Sequence, residues 1–274
     1  MRLRQDDQDR QRVDRDRLKV LDWLTPIDYG PRQSDNFRRR QVGTGQWLLD
    51  SAQFQAWLKT DKQTLFGPGI PGAGKTIITA IVVNYLDVKF HDPSICIAYI
   101  YFNFQRQHEQ NVEDLLASLL KQLAHGQSSL PQNLKDLYDR HKEKRTRPLF
   151  DEISKALHIV ATMYSRVFIV IDALDECQTS DRCRARFLAE IFKLQANTRA
   201  NLFTTSRDIP DIVVKFEHSL SLEVRASDED VRAYLDHHMS QLRAFLRKDP
   251  HLQEEIKAGI VKAVKGMYVC IFLR

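Results

Sequence analysis

No stretch of this sequence is long and apolar enough to cross a bilayer. The longest, Ile95 to Phe102, falls well short of the about 20 residues that a spanning helix needs. The opening Met-Arg-Leu-Arg-Gln-Asp-Asp has no apolar core, which argues against a secretory signal. Cysteine is scarce: Cys96, Cys177, Cys183 and Cys270 form no CxxC pair. That speaks against a zinc site or disulfide frame and for reduced thiols in the cytoplasm. An acid-free basic tract is also lacking. Arg and Asp alternate closely between Arg10 and Arg17, as on a solvated helix, and the net charge is only +5. Nucleic acid and membrane are therefore not expected as partners. No internal repeat is found, which excludes a solenoid.

What is present is an ordinary globular composition, 43% hydrophobic and 28% charged over 274 residues. That length holds one large domain, or one with appendages. Within it, Gly69-Ile70-Pro71-Gly72-Ala73-Gly74-Lys75-Thr76 fits G-x-x-x-x-G-K-[ST] without a mismatch. Thr64-Leu65-Phe66 before it reads as a strand, and Ile77 to Leu86 after it as a buried helix. Strand, glycine loop and helix are the context that makes the pattern a phosphate site. Glycines let successive N–H groups point inward, and the helix adds the positive end of its dipole. The expected nucleotide-binding residues are Gly69, Pro71, Gly72, Ala73, Gly74, Lys75, Thr76 and Ile77. Lys75 supplies a charge for the outer phosphates, and the Thr76 hydroxyl is a ligand for Mg²⁺.

A second motif supports the first. Val167 to Ile171 is a continuous apolar run of β-branched and aromatic residues, suited to a central parallel strand. It ends in Asp172, at the sheet edge where such folds bind ligands. Asp172 is expected to hold Mg²⁺ through water. Asp175 and Glu176 stand just beyond, where a carboxylate orients or deprotonates an attacking water. A structural role, as a cap or a solvated acid, stays open for either of them. Asn201 to Arg207 reads as a further strand, whose Thr204, Thr205 and Ser206 give the tip a polar character and whose Arg207 is placed to sense a terminal phosphate.

Read in order, residues from about 8 to 24 form a charged helix, and Pro26, Gly30 and Pro31 break the chain into a linker. Phe54, Trp57 and Leu58 lie at helical spacing. Ile95 to Phe104 is a second buried strand, and helices cover Val112 to Leu123 and Asp151 to Met163. Ser219 to Val224 is a short fifth strand. Ser227-Asp228-Glu229-Asp230 caps a helix that opens a mostly helical end. The Arg38-Arg39-Arg40 cluster is open to either a partner contact or a solvated loop. Alternation of strands and helices predicts an α/β fold, with a parallel five-stranded sheet flanked by helices. The expected divisions are a charged helix and linker (1–42), an NTPase core (43–210), and the last core strand with a partial helical domain (211–274).

GIPGAGKT, VFIVIDALDE and NLFTTSR, in that order, resemble the NACHT class of STAND P-loop NTPases, most nearly fungal members with a nephrocystin-3-like NTPase region. The resemblance implies an ASCE-type sheet, with the Arg207 strand between the Gly69 and Asp172 strands. It implies a signalling switch that holds ADP at rest, exchanges it for ATP and hydrolyses slowly with Mg²⁺. Relatives of this kind carry an effector before the NTPase, and a winged helix and repeats after it. Ala173 stands where the commoner signature has Gly, and no clear Gly-x-Pro is seen in the helical part. The chain therefore reads as a fragment of a larger receptor that binds nucleotide without regulated switching. Its stripes of Leu242, Phe245, Leu246, Ile256, Ile260, Val261 and Val264 lead to the expectation of self-association or protein partners through the helical end. Two alternatives from other classes stand beside this reading: a kinase-like P-loop enzyme with a second substrate, and an AAA-like nucleic-acid remodeller.

Overall fold

The computed structural model describes residues 2–105, 110–178, 182–239 and 250–264. Helices α1 (Arg2–Leu24), α2 (Gly30–Arg38), α3 (Gln46–Leu49) and α4 (Ala52–Lys59) precede strand β1 (Thr64–Pro68). Then follow α5 (Lys75–Lys89), β2 (Ile95–Tyr101), α6 (Val112–Gly126), α7 (Gln132–Lys144), α8 (Phe150–Ala161) and β3 (Arg166–Asp172). Next come α9 (Cys183–Asn197), β4 (Ala200–Ser206), α10 (Pro210–Val213), β5 (Leu220–Ser221), α11 (Asp228–Met239) and α12 (Pro250–Val264).

The strands form one five-stranded parallel sheet in the order β2-β3-β4-β1-β5. The Arg207 strand thus lies between the Gly69 and Asp172 strands. Side chains alternate across the sheet, as the period of a strand requires. Leu65, Phe168, Val170 and Phe203 face the α4 and α5 side with Phe54, Trp57 and Ile78. Phe66, Ile169, Ile171 and Leu202 face the α6, α8 and α9 side with Leu116, Leu157 and Phe187. Each central strand is buried on both faces, which is why β3 reads as an unbroken apolar run rather than an alternating one; β4 is as deeply buried but carries the polar Asn201, Thr204, Thr205 and Ser206.

The exposed edge of β2 is closed by side chains. Gln122 accepts from Tyr99 N and donates to Tyr99 O, each at 2.9 Å. Arg32 donates to Tyr101 O and Phe102 O, each at 3.0 Å. Bonds of this kind deny the edge to a further strand.

The N-terminal region is more integral than its composition suggests. Pro31 sits in the first turn of α2, where a missing N–H costs nothing, so the expected linker shrinks to residues 25–29. Val20, Leu21 and Leu24 bury one stripe of α1 in the main core. Arg17 Nη2 lies within hydrogen-bond reach of the carbonyls of Ala124, His125 and Gln127, sharing its two protons among them at the C-terminal end of α6, the end that the helix dipole makes attractive to a cation. Arg17→Ala is expected to lower stability by about 1–2 kcal/mol. It is also expected to speed tryptic cleavage within α1; equal urea midpoints and equal cleavage rates would count against the clasp.

At the other end, Ser227 Oγ accepts from Asp230 N at 3.0 Å, the expected cap of α11. Ile260 and Val261 pack on Ala226, Val231 and Leu235. Of the residues expected to be free for self-association, these two are thus partly covered within the chain. Leu242, Phe245 and Leu246 lie outside the described residues. β2 ends at Tyr101 rather than Phe104, whose side chain is exposed. No described helix is long and apolar enough to cross a membrane.

Candidate functional site

The glycine loop runs from the end of β1 to the start of α5. A Cβ at Gly69 would stand 2.4 Å from Val224 O, so only glycine allows the loop to pass so close to the chain beyond β5. Gly74, the residue before α5, has φ +84°, a left-handed turn that a side chain would strain. Pro71 and Gly72 are exposed, Ala73 is buried, and Ile77 is half-buried against the α4–α5 side of the core. Lys75 opens α5 with its ammonium turned back on the loop, donating to Gly69 O at 2.8 Å and Ile70 O at 2.9 Å. Burial holds that ammonium below its usual pKa, opposed by the carboxylates of Asp175 and Asp172.

Asp172 is fully buried at the tip of β3, and its partners in hydrogen bonding are hydroxyls. Thr76 Oγ1 donates to Oδ2 at 2.7 Å, while Thr205 and Thr79 lie 2.9 and 3.0 Å from Oδ1. Thr79 Oγ1 also lies 2.9 Å from Lys75 O, and with one proton it serves one acceptor at a time. Burial pushes the Asp172 carboxyl above its ordinary pKa, and the hydroxyls of Thr76, Thr205 and Thr79 pull it back. The charge of Arg32 acts in the same downward sense.

The three acids after β3 have three different surroundings. Ala173 takes φ +53°, a left-handed conformation that glycine adopts with less strain. It swings the chain into the short 3₁₀ turn Leu174–Glu176. Asp175 turns toward β4: its Oδ1 accepts from Arg207 N, and its Oδ2 lies 3.0 Å from Arg207 Nε. Glu176 Oε2 instead accepts from Phe104 N at 3.0 Å. The sequence-derived set of Lys75, Thr76, Asp172, Asp175, Glu176 and Arg207 is thus gathered at one end of the sheet.

Other expectations fall out differently. Of the three hydroxyls on β4, only Thr205 points at Asp172, and it also accepts from Ala173 N at 3.0 Å. Thr204 and Ser206 alternate to the opposite face, buried without a hydrogen-bond partner among the described residues. Arg40 is engaged locally, over the Phe37 ring and on Phe37 O. Cys96, Cys177 and Cys183 are buried free thiols. Thr79 and Arg32 were not foreseen. Thr79 was findable, because it follows Thr76 by three residues and so shares its helix face. Arg32 came from the segment read as linker.

The family model described as "Nephrocystin 3, N-terminal" matches residues 43–207. No curated protein matches the chain. Among solved structures, the Walker-type ATPase PABY2304 of Pyrococcus abyssi is 12% identical with a TM-score of 0.51, covering 84% of this chain and 66% of that one. ORC1 of Aeropyrum pernix in complex with DNA is 16% identical with a TM-score of 0.48, covering 89% and 58%. AMPPCP-bound DnaA of Aquifex aeolicus is 13% identical with a TM-score of 0.42, covering 84% and 60%. The chain spans 58–66% of the length of these three proteins. At such identities the likeness is one of fold, that of P-loop ATPases. The expectation that set nucleic acid aside on the ground of mixed charge is withdrawn. Mixed charge along a whole chain does not exclude it, because contacts to DNA depend on local groups.

Proposed function

The chain belongs to the nephrocystin 3 N-terminal family, and on that premise we propose that it is a nucleotide-binding module of the NACHT type, binding ATP or ADP with Mg²⁺ and hydrolysing ATP slowly as part of a signalling switch. The observation that carries the reading is the 2.7 Å bond from Thr76 to Asp172, which joins the glycine loop to the tip of the central strand. Two oxygen donors so close suit a small hard cation. Among the described residues no group of three or more His, Cys, Asp or Glu could cage a metal. Mg²⁺ has no need of such a cage, since it binds through one or two protein oxygens, water and phosphate. When bound, it supplies positive charge to the phosphate oxygens.

The chain's own residues divide the remaining work. Loop N–H groups such as those of Gly74, Lys75 and Thr76 hold phosphate, and Lys75 exchanges two loop carbonyls for phosphate oxygens. Glu176 is the acid left to orient or deprotonate water, with Phe104 N as its anchor. Arg207 lies on the side of the terminal phosphate.

Asp172→Asn tests this assignment. The carboxylate is directed at a cation, so its loss is expected to weaken Mg²⁺-nucleotide binding about tenfold or more, while binding in EDTA changes little. Equal losses with and without Mg²⁺, read by calorimetry, would make Asp172 a packing group and remove the metal from this site.

A further inference from the structure

Asp175 and Glu176 are neighbours in sequence and look interchangeable as candidate bases. Their surroundings separate them. The Asp175 side chain is 4% exposed and meets Arg207 with both oxygens, one on the backbone N–H and one on Nε. The Arg207 side chain, at the tip of β4, is 53% exposed although its Nε is engaged by Asp175. A carboxylate on the Nε edge of a guanidinium fixes the plane of the fork while leaving the amino end free for a second anion. Of the charges acting on the Lys75 ammonium, Asp175 is the strongest, and Asp172, Arg207 and Glu176 also act on it. Gly69 N donates to Ser206 O at 3.0 Å, so Arg207, the next residue, stands beside the glycine loop with Asp175 upon it.

We propose that Asp175 is a positioning residue for Arg207: it ties the turn after β3 to the tip of β4 and aims the guanidinium at the terminal phosphate of a nucleoside triphosphate, and it is not the group that takes a proton from water. This inference rests on the nucleotide-binding reading above. It makes Arg207 a reader of triphosphate against diphosphate whose aim depends on a residue that touches no nucleotide.

The sign of one substitution distinguishes aiming from simple charge. Were Asp175 only a negative charge near the phosphates, Asp175→Asn would strengthen binding of every nucleotide by removing repulsion. As a positioning residue, its loss weakens the triphosphate alone. Calorimetric titration of the full nucleotide-free chain with Mg-ATP and Mg-ADP is the test. Asp175→Asn and Arg207→Ala are each expected to weaken Mg-ATP about tenfold and to leave Mg-ADP within about twofold. The double variant is expected to be no weaker than Arg207→Ala alone, since the two residues act as one unit. Glu176→Gln is expected to bind both nucleotides normally and to lose turnover. Unchanged or tighter ATP binding by Asp175→Asn, or additive losses in the double variant, would overturn the proposal. Should Asp175→Asn fail to fold, Arg207→Lys decides: it keeps the charge without the fork, so losing as much as Arg207→Ala supports aiming, and wild-type affinity refutes it. A wild-type chain that binds neither nucleotide would instead remove the underlying nucleotide-binding reading.

Discussion

Lys75→Ala is expected to abolish measurable nucleotide binding in a chain that still folds. The lysine makes two bonds, both to carbonyls of its own loop, and neither ties one element of the core to another. Removing it costs the fold little, about 1 kcal/mol for the lost bonds. Partial burial already disfavours its charge, so an anion that replaces the two carbonyls relieves a cost rather than adding one. A charge-assisted bond is worth about 1.5–3 kcal/mol, and a mobile cation over two phosphates makes more than one. The expected loss is therefore about a hundredfold or more. Wild-type ATP affinity in a folded Lys75→Ala chain, by calorimetry, would end the phosphate-loop assignment.

The largest effect on stability is expected from Trp57→Ala, in a helix remote from the phosphates. Trp57 is wholly buried, with ring centroids 5.3 Å from Phe54, 5.3 Å from Phe168 and 6.0 Å from Phe203. Its Nε1 donates to Leu202 O at 3.0 Å, which fastens α4 to β4. Emptying such a site costs about 3–5 kcal/mol, a large share of the about 5–15 kcal/mol that holds a domain together. β4 also carries Thr205 and leads into Arg207, so loosened packing here reaches the site. Trp57→Phe keeps most of the apolar volume and loses the N–H bond, and it is expected to cost less than half as much. Urea unfolding of the two variants measures both, and a cost below about 1 kcal/mol for the alanine would show that α4 is not part of the core.

Much of this architecture could be read from the residues because the local rules and the tertiary ones agree. Val167 to Ile171 and Leu202 to Ser206 are apolar, β-branched or small, and both lie in central strands buried on two faces. The G-x-x-x-x-G-K-[ST] pattern and the acid at the end of β3 meet where their chemistry requires, through Thr76 and Asp172. The elements that went unread lack such agreement. α7 is polar along most of its length and buries only Leu134 and Leu137. α9 follows a left-handed Arg182 and opens at Cys183 without a capping side chain. Gly30 and Pro31 read as a break because proline is weighed as a helix breaker, yet in a first turn it is a helix starter. The site partners that went unread, Arg32 on the carbonyls of β2 and Asp175 on Arg207, are long-range in sequence. No spacing rule reaches across such distances, and only the assembled sheet brings them together.

The same distinction governs the acids after β3. Sequence adjacency made Asp175 and Glu176 equivalent, whereas the left-handed Ala173 and the 3₁₀ turn send one toward Arg207 and the other toward Phe104 N. Two neighbouring carboxylates thus come to different partners through one backbone conformation.

The central claim, that the loop from Gly69 to Thr76 holds a nucleotide, is tested most directly by what the protein carries when purified. Acid release followed by chromatography identifies and counts the bound nucleotide. The expected result is about one adenine nucleotide per chain, absent from Lys75→Ala prepared in the same way. A wild-type chain that carries none, and that then gives no heat when titrated with Mg-ATP or Mg-ADP at millimolar concentration, would contradict it.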